Sequence, residues 1–292
     1  MSSFRFDNVA VLGAGTMGRG IAQTAAACGS RVTLLDATPE RAAAARASIG
    51  ESLLKLVAKG KLPAGDAEAT MSRIAAVADR ASAVREADVV VEAAFEDLSL
   101  KRALFAALAR EAPAHALLGS NTSSLSITAL AEGCGAEERV VGLHFFNPVP
   151  VMALLEIVRG RRTSDAAVQA ARDFAARLGK DPILVNDSPG FATSRLGVLL
   201  GLEAMRMLAE GVASAADIDK AMELGYRHPM GPLKLTDLVG LDVRLAIAEH
   251  LQRELKSEAF APPQLLRDMV KAGKLGKKSG AGFYDYPVEQ RP

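Results

Sequence analysis

Val9-Ala10-Val11-Leu12-Gly13-Ala14-Gly15-Thr16-Met17-Gly18 is the stretch that decides how this chain folds. Four apolar residues make a short run suited to a strand buried on both faces of a parallel sheet. The glycines that follow are spaced G-x-G-x-x-G, and the run from Thr16 to Cys28, closed by Gly29, reads as a helix. The first glycine permits a tight turn, the second lets backbone amides approach a pyrophosphate, and the third lets helix and strand pack closely. The helix start offers unpaired N–H groups and partial positive charge to phosphate. Arg31 to Asp36 forms a second strand ending in an acid, at about 20 residues' distance as the dinucleotide motif requires. Asp36 can accept hydrogen bonds from both ribose hydroxyls and would repel a 2′-phosphate. The pattern therefore predicts NAD, contacted by Gly13, Ala14, Gly15, Thr16, Met17, Gly18 and Asp36. Arg41 lies one helical turn further on and is read as outside that choice.

Outward from this motif, strands and helices alternate. A helix is expected from Pro39 to about Lys59, broken by Gly60, Pro63 and Gly65. Further strands are expected at Ile74 to Ala78, Asp88 to Ala93, Ala116 to Ser120 and Arg139 to Phe145, with helices starting near Asp97, Ser126 and Ser164. Such alternation predicts an α/β, Rossmann-type, mostly parallel sheet with helices on both faces. At Asp187-Ser188-Pro189-Gly190 a turn signal ends the pattern. Beyond it strands vanish and helical spacing dominates, with Leu241, Leu245, Ala248, Leu251 and Leu255 on one face and Leu196, Leu199, Leu200 and Met207 on another. Two domains are expected, 1–188 and 189–292, the second all-helical. At about a hundred residues it is small, so part of its apolar surface is expected to pack on a second copy in a homodimer.

Bulk composition narrows the partners. The chain has 292 residues, 49% apolar and 24% charged, and a net charge of +1. That balance gives no reason to expect nucleic acid. Cys28 and Cys134 are too few and too far apart for a disulfide scaffold or thiolate metal site, and no metal-ligand spacing occurs elsewhere. Met1 to Asp7 lacks the apolar run of a signal peptide, and no segment approaches the ~18 apolar residues of a membrane span. The expectation is a cytoplasmic protein with no membrane partner.

Only four histidines occur, His115, His144, His228 and His250. His144 stands out because it heads His144-Phe145-Phe146-Asn147-Pro148, with Glu156 twelve positions on. An imidazole held by a carboxylate can take a proton from an alcohol near neutral pH. Beside a dinucleotide site it predicts alcohol dehydrogenation. Alone, a strand-end histidine is more often structural. His115, in a loop, reads as solvated, His228 before Pro229 as turn-shaping, and His250 as surface. Ser120-Asn121-Thr122-Ser123-Ser124 ends another strand at the sheet edge where open parallel sheets bind ligands, although its hydroxyls can equally cap the next helix.

These words together, with VVEAAFEDLSLK, HFFNPVPVM, DSPGF, HPMGP and GKKSGAGFYDY, span nearly the whole chain. They resemble the 3-hydroxyacyl-CoA dehydrogenases, close to the bacterial 3-hydroxybutyryl-CoA dehydrogenases. The resemblance implies an acyl-CoA thioester as substrate and a role for each matching residue. His144 would be the base and Glu156 would orient it. Ser123 would bond the substrate oxygen, and Asn147 and Asn121 would place substrate and nicotinamide. Glu96, Lys101 and Lys278 would meet NAD, while Ser52 and Lys59 would meet CoA. For Lys59 and its neighbours Lys55 and Lys61, stabilisation of a helix end is an equal alternative.

One position departs from the family pattern. Its asparagine before the arginine that follows D-x-P-G-F is replaced by Ser194, preceding Arg195. Serine still bonds but is shorter, so the acyl preference at this substrate-binding position is open. A dehydrogenase acting on a free hydroxy acid, or a non-catalytic NAD-binding protein on the same fold, are the alternatives.

Overall fold

The computed structural model describes residues 6–286, so Met1 to Arg5 of the N-terminal stretch and the end of the expected second domain lie outside the described residues. The chain divides between Ser188 and Pro189 into two compact units.

In the first unit, strands β1 (Asn8–Leu12), β2 (Arg31–Leu35), β3 (Ile74–Ala76), β4 (Val89–Glu92), β5 (Leu117–Ser120), β6 (Val140–Phe145), β7 (Leu154–Arg159) and β8 (Asp181–Asn186) form one sheet. Their order is β3-β2-β1-β4-β5-β6-β7-β8. Pairing is parallel except between β6 and β7. Helices α1 (Thr16–Ala27), α2 (Pro39–Ala58), α3 (Ala64–Ser72), α4 (Arg80–Val84), α5 (Leu98–Glu111), α6 (Ile127–Ala131) and α7 (Asp165–Arg177) connect the strands. The core holds Val9, Val11, Ile21, Leu34, Val91, Leu143, Phe145, Ile157 and Phe174.

Each strand expected from the apolar runs forms: β1 begins one residue earlier, at Asn8, and the others are shorter by one or two residues. The helix starts at Asp97, Ser126 and Ser164 are N-caps whose side chains accept from the N–H groups of Leu100, Ala129 and Ala167 at 2.8, 3.1 and 3.1 Å. Helices α3 and α4, and strands β7 and β8, were not expected. β8 begins Asp181-Pro182 and is mostly exposed at the sheet edge, where proline is tolerated and the apolar signal is weak. In β7 an acid interrupts an otherwise apolar run, and that acid, Glu156, is buried opposite His144 of the partner strand.

The second unit is built from α8 (Thr193–Ala209), α9 (Ala215–Lys220), α10 (Pro232–Val239), α11 (Leu241–Leu255) and α12 (Gln264–Lys271). Among the described residues its extended pairing amounts to isolated bridges, Gly276 with Ala281 and Ala281 with Asp285. The α11 face forms as expected, with Leu241, Ala248 and Leu251 buried and Leu245 and Leu255 packed beside them. The α8 face needs correction. Leu199 and Met207 do pack on the core, but its buried stripe is Val198, Leu202 and Met205, while Leu196 and Leu200 are exposed. The helix is apolar on two faces, so spacing alone could not say which one turns inward. No described helix is long and apolar enough to cross a membrane.

Two buried carboxylates tie the C-terminal tail to this unit. Asp219 accepts from the N–H groups of Leu233 and Lys234 at 2.8 and 3.0 Å and from the Tyr284 hydroxyl at 2.7 Å. Asp237 accepts from the N–H groups of Phe283 and Tyr284 and from the Tyr286 hydroxyl, each at 3.0 Å. Burial, then these neighbouring acids, push the Tyr286 phenol up to about 12 and Tyr284 higher still. All three tyrosines lie in this unit and the chain has no tryptophan, so tyrosine emission follows this unit alone. Asp237→Ala should lower its stability by about 3 kcal/mol. Urea denaturation followed by tyrosine emission checks this; an unmoved midpoint would refute the tie.

Candidate active site

β1 lies between β2 and β4, so the chain leaves the two sides of β1 in opposite directions. The loops after β1 and β4 meet there, at the carboxyl edge where such sheets bind ligands. Gly13 has φ +102°, and a Cβ there would run into the Ala93 carbonyl and stand 2.8 Å from the Ala94 nitrogen. A Cβ on Gly18 would strike the Gly13 carbonyl. Both glycines are therefore required for the turn to sit this close. Gly15 caps α1 without a side-chain hydrogen bond, and space for a Cβ beside it is open. The first amides of α1 thus line a cradle of the kind that suits a pyrophosphate.

Asp36 braces that cradle. Its Oδ2 accepts from the Ala14 N–H at 2.7 Å and its Oδ1 from the Ala37 N–H at 2.8 Å. Arg41 is closer to the matter than its sequence position implied, since its Nε lies 2.8 Å from Asp36 Oδ1. The long side chain folds back over one helical turn. These residues fit NAD, with the amides at its phosphates and Asp36 at a ribose.

Next along the edge is a buried ion network. Glu92 ends β4 with no exposure; its Oε1 accepts from Lys101 Nζ at 2.7 Å and the Ala94 N–H at 2.6 Å. Its Oε2 accepts from the Ser120 hydroxyl at 2.6 Å. Lys101, itself 1% exposed, also reaches Glu96 Oε2 at 3.1 Å. Glu96 in turn accepts from the Thr122 hydroxyl, the Ser124 hydroxyl at 3.2 Å and the Ser123 N–H at 3.3 Å. The loop after β5 is thereby sewn to the loop after β4. Asn121 secures it from the other side, its Oδ1 accepting from the Phe145 N–H at 3.0 Å.

His144 and Glu156 stand directly opposite each other on antiparallel β6 and β7. That pairing accounts for their spacing of twelve: a turn through Asn147 and Pro148 reverses the chain. His144 Nδ1 lies 2.8 Å from Glu156 Oε2, with the imidazole 7% exposed and the carboxyl fully buried. A carboxylate accepts, so Nδ1 donates, and Nε2 is the basic nitrogen. The Phe146 ring packs on the imidazole with centroids 4.5 Å apart. Ser123 lies on the neighbouring loop, half-buried.

Ser52 and Asn147 line one groove of about 330 Å³ with Thr16, Arg19 and Gln23, whereas Lys59 closes α2 outside that lining. In the second unit, Lys278 Nζ pairs with both oxygens of Asp242 at 2.5 and 2.7 Å. Burial pushes the Asp242 carboxyl up, but Lys278 outweighs it and holds the group below its usual range. Ser194 is the second residue of α8 and half-buried. Glu92 and Asp242 escaped the sequence reading, whereas Thr122 belongs to the Ser120–Ser124 run read there as binding or capping, and it accepts from the Leu125 N–H at 2.9 Å. For Glu92 a signal existed, an acid closing the apolar run Val89-Val90-Val91.

Comparison with known proteins agrees with this geometry. The family model for the NAD-binding domain of 3-hydroxyacyl-CoA dehydrogenase matches residues 8–188, and that for its C-terminal domain matches residues 190–286. A probable 3-hydroxybutyryl-CoA dehydrogenase of Bacillus subtilis is 44% identical over 278 residues, covering 95% of this chain and 96% of that protein. The mitochondrial hydroxyacyl-coenzyme A dehydrogenase of Homo sapiens is 45% identical over 286 residues, covering 96% and 91%. The crystal structure of (S)-3-hydroxybutyryl-CoA dehydrogenase from Ralstonia eutropha superposes with a TM-score of 0.92 at 41% identity, covering 97% of this chain and 99% of that one.

Glu96 sets a pH dependence. Burial raises its carboxyl, but Lys101, Thr122 and the Ser123 amide together outweigh that and hold it below the ordinary range. A lowered folded value means its stabilisation is present above the unfolded carboxylate range and is lost as pH falls through the folded value. Glu96→Gln should therefore flatten the acid limb of a Tm-against-pH curve, on the acid side of the ordinary carboxylate range. Parallel limbs in the two proteins would sink the assignment.

Proposed function

The chain belongs to the 3-hydroxyacyl-CoA dehydrogenase family, an NAD-dependent oxidoreductase class, and from that premise we propose how its own residues carry the reaction. The reaction is the reversible oxidation of an L-3-hydroxyacyl-CoA to the 3-oxoacyl-CoA, with a short acyl chain such as 3-hydroxybutanoyl. The observation that carries this reading is the buried His144–Glu156 pair at the edge that also holds the dinucleotide cradle. NAD, when bound, accepts the hydride that leaves C3.

His144 Nε2 takes the proton of the C3 hydroxyl as C3 becomes a carbonyl. The imidazolium then formed is stabilised by Glu156, whose bond to Nδ1 also keeps the ring in the tautomer that leaves Nε2 basic. Burial strengthens that stabilisation, because little water screens the pair. Ser123 donates to the substrate oxygen, and Asn147 and Asn121 place the reacting carbon. Ser52 and Lys59 meet the CoA handle. Glu96, with Lys101 behind it as counter-charge, and Lys278 meet the cofactor. Ser194 stands against the acyl group. Placement of C3 and proton removal are thus the protein's contribution.

We also propose a homodimer through the second unit. Leu196, at 62% exposure, and Leu200 form an outward apolar stripe on α8, and Leu224, Tyr226 and Leu238 of the same unit are exposed as well. Such surface is unfavourable in water and favours a second copy.

The test of function is NADH absorbance with acetoacetyl-CoA, with NADPH and free acetoacetate as controls. Oxidation of NADH by the thioester alone is expected. Turnover of free acetoacetate at a similar rate would instead favour a hydroxy-acid dehydrogenase. His144→Gln should lower kcat by at least about a hundredfold with NADH affinity retained, and Glu156→Gln should lower it less. Near-normal turnover of the first variant would remove the base from this position.

For the dimer, light scattering on the wild type should give twice the chain mass. Leu196→Glu should shift it toward the monomer. A monomeric wild type would refute the interface.

A further inference from the structure

The groove that Ser52 and Asn147 share carries a single charge. Its walls are one side of α1, the facing side of α2 and the turn after β6, all within the first unit. At about 330 Å³ it has the size of a small-molecule site. Thr16, Arg19 and Gln23 follow one another at helical spacing, so α1 turns all three to this side. Ser48 and Ser52 line it from α2. No carboxylate is among the described lining residues, and Arg19 is the only charged one. Lys59, at the end of α2, lies outside it.

Arg19 is half-buried, and among the described residues its guanidinium has neither an ion-pair nor a hydrogen-bond partner. The other half-buried arginines of this unit, Arg46, Arg73, Arg80, Arg139 and Arg159, each bind a carbonyl or a carboxylate. Holding a cation partly out of water without a partner costs stability, so the fold itself does not account for Arg19. The groove beside it is fixed in place. A Cβ at Gly20 would stand 2.8 Å from Val149 Cβ, so α1 and the turn touch there. Behind the turn, the buried Lys180 Nζ donates to the Val149 and Met152 carbonyls at 2.6 and 2.7 Å. A wall tied down in this way loses little freedom when a ligand binds.

We propose that Arg19 anchors a phosphate of the CoA handle, supplying inside the groove the charge that Lys59 does not place there. The inference rests on the reading of the chain as a 3-hydroxyacyl-CoA dehydrogenase, with Ser52 against that handle. A planar guanidinium takes two phosphate oxygens through parallel N–H···O bonds, which satisfies the donors and the charge together. The Ser48 and Ser52 hydroxyls can donate to the remaining oxygens. The dinucleotide also carries phosphate. Its pyrophosphate finds the amides at the start of α1, whereas Arg19 shares its side of the helix with the serines of α2.

The experiment compares kcat/KM for acetoacetyl-CoA and acetoacetyl-pantetheine, the same thioester without phosphate, in the wild type, Arg19→Met and Arg19→Lys. The NADH dissociation constant is measured alongside. The wild type should favour the CoA thioester at least about tenfold. In Arg19→Met most of that preference should be lost, through KM for the CoA thioester, and Arg19→Lys should restore part of it. A wild type that reduces both thioesters equally well overturns the proposal, and does so even if the variants fail to fold. So does an Arg19→Met variant that keeps the preference or loses activity equally on both. A variant whose main loss is of NADH affinity also overturns it, by assigning the arginine to the dinucleotide. In each case turnover of acetoacetyl-pantetheine by the wild type leaves the dehydrogenase reading standing. A wild type inactive on both thioesters overturns both.

Discussion

A carboxylate with no access to water organises the edge of this sheet. Glu92 closes β4 where the loops after β1, β4 and β5 converge, and its oxygens are shared among Lys101, Ser120 and the Ala94 amide. A buried charge is tolerated only when its partners are held in place, so each of those partners is fixed in turn. Lys101 thereby fixes Glu96, and Glu96 fixes the loop carrying Thr122, Ser123 and Ser124. The rigidity expected of a site that aligns two reactants comes from this chain of polar contacts.

The His144–Glu156 pair uses the same economy of burial in a different setting. The antiparallel step from β6 to β7 interrupts a run of parallel pairings, and it is this reversal that brings an acid opposite the imidazole. A parallel strand would have needed a long crossover and a different partner. With Phe146 against the ring and Asn121 holding the Phe145 backbone, the imidazole is placed from three directions. The constraint favours one tautomer and one orientation, which is what proton transfer requires.

Charges in the two units are balanced differently. In the first, the buried ionic groups around the site are paired among themselves. In the second, Asp219 and Asp237 are satisfied by amides and phenols of the tail, and Lys278 by Asp242, whereas Arg244 has no partner among the described residues. The exception stands out because the other buried charges of this unit, Asp219 and Asp237, are satisfied.

Much of this was legible from residue order. Local signals are complete in themselves: Gly13 to Gly18 need φ and close approach, Asp97, Ser126 and Ser164 need only the three residues that follow them, and the α11 stripe needs only helical period. The resemblance added roles for His144 and Glu156. What the sequence could not determine depended on partners distant in the chain. β7 was hidden because a strand with an acid at its centre makes sense only beside the strand that buries it, and β8 because an exposed edge strand lacks an apolar pattern. The inward face of α8, the reach of Arg41 to Asp36, the Glu92–Lys101 pair and the isolation of Arg244 were decided by packing alone. Propensity and period are set within a few residues, while burial and charge pairing are properties of the folded neighbourhood.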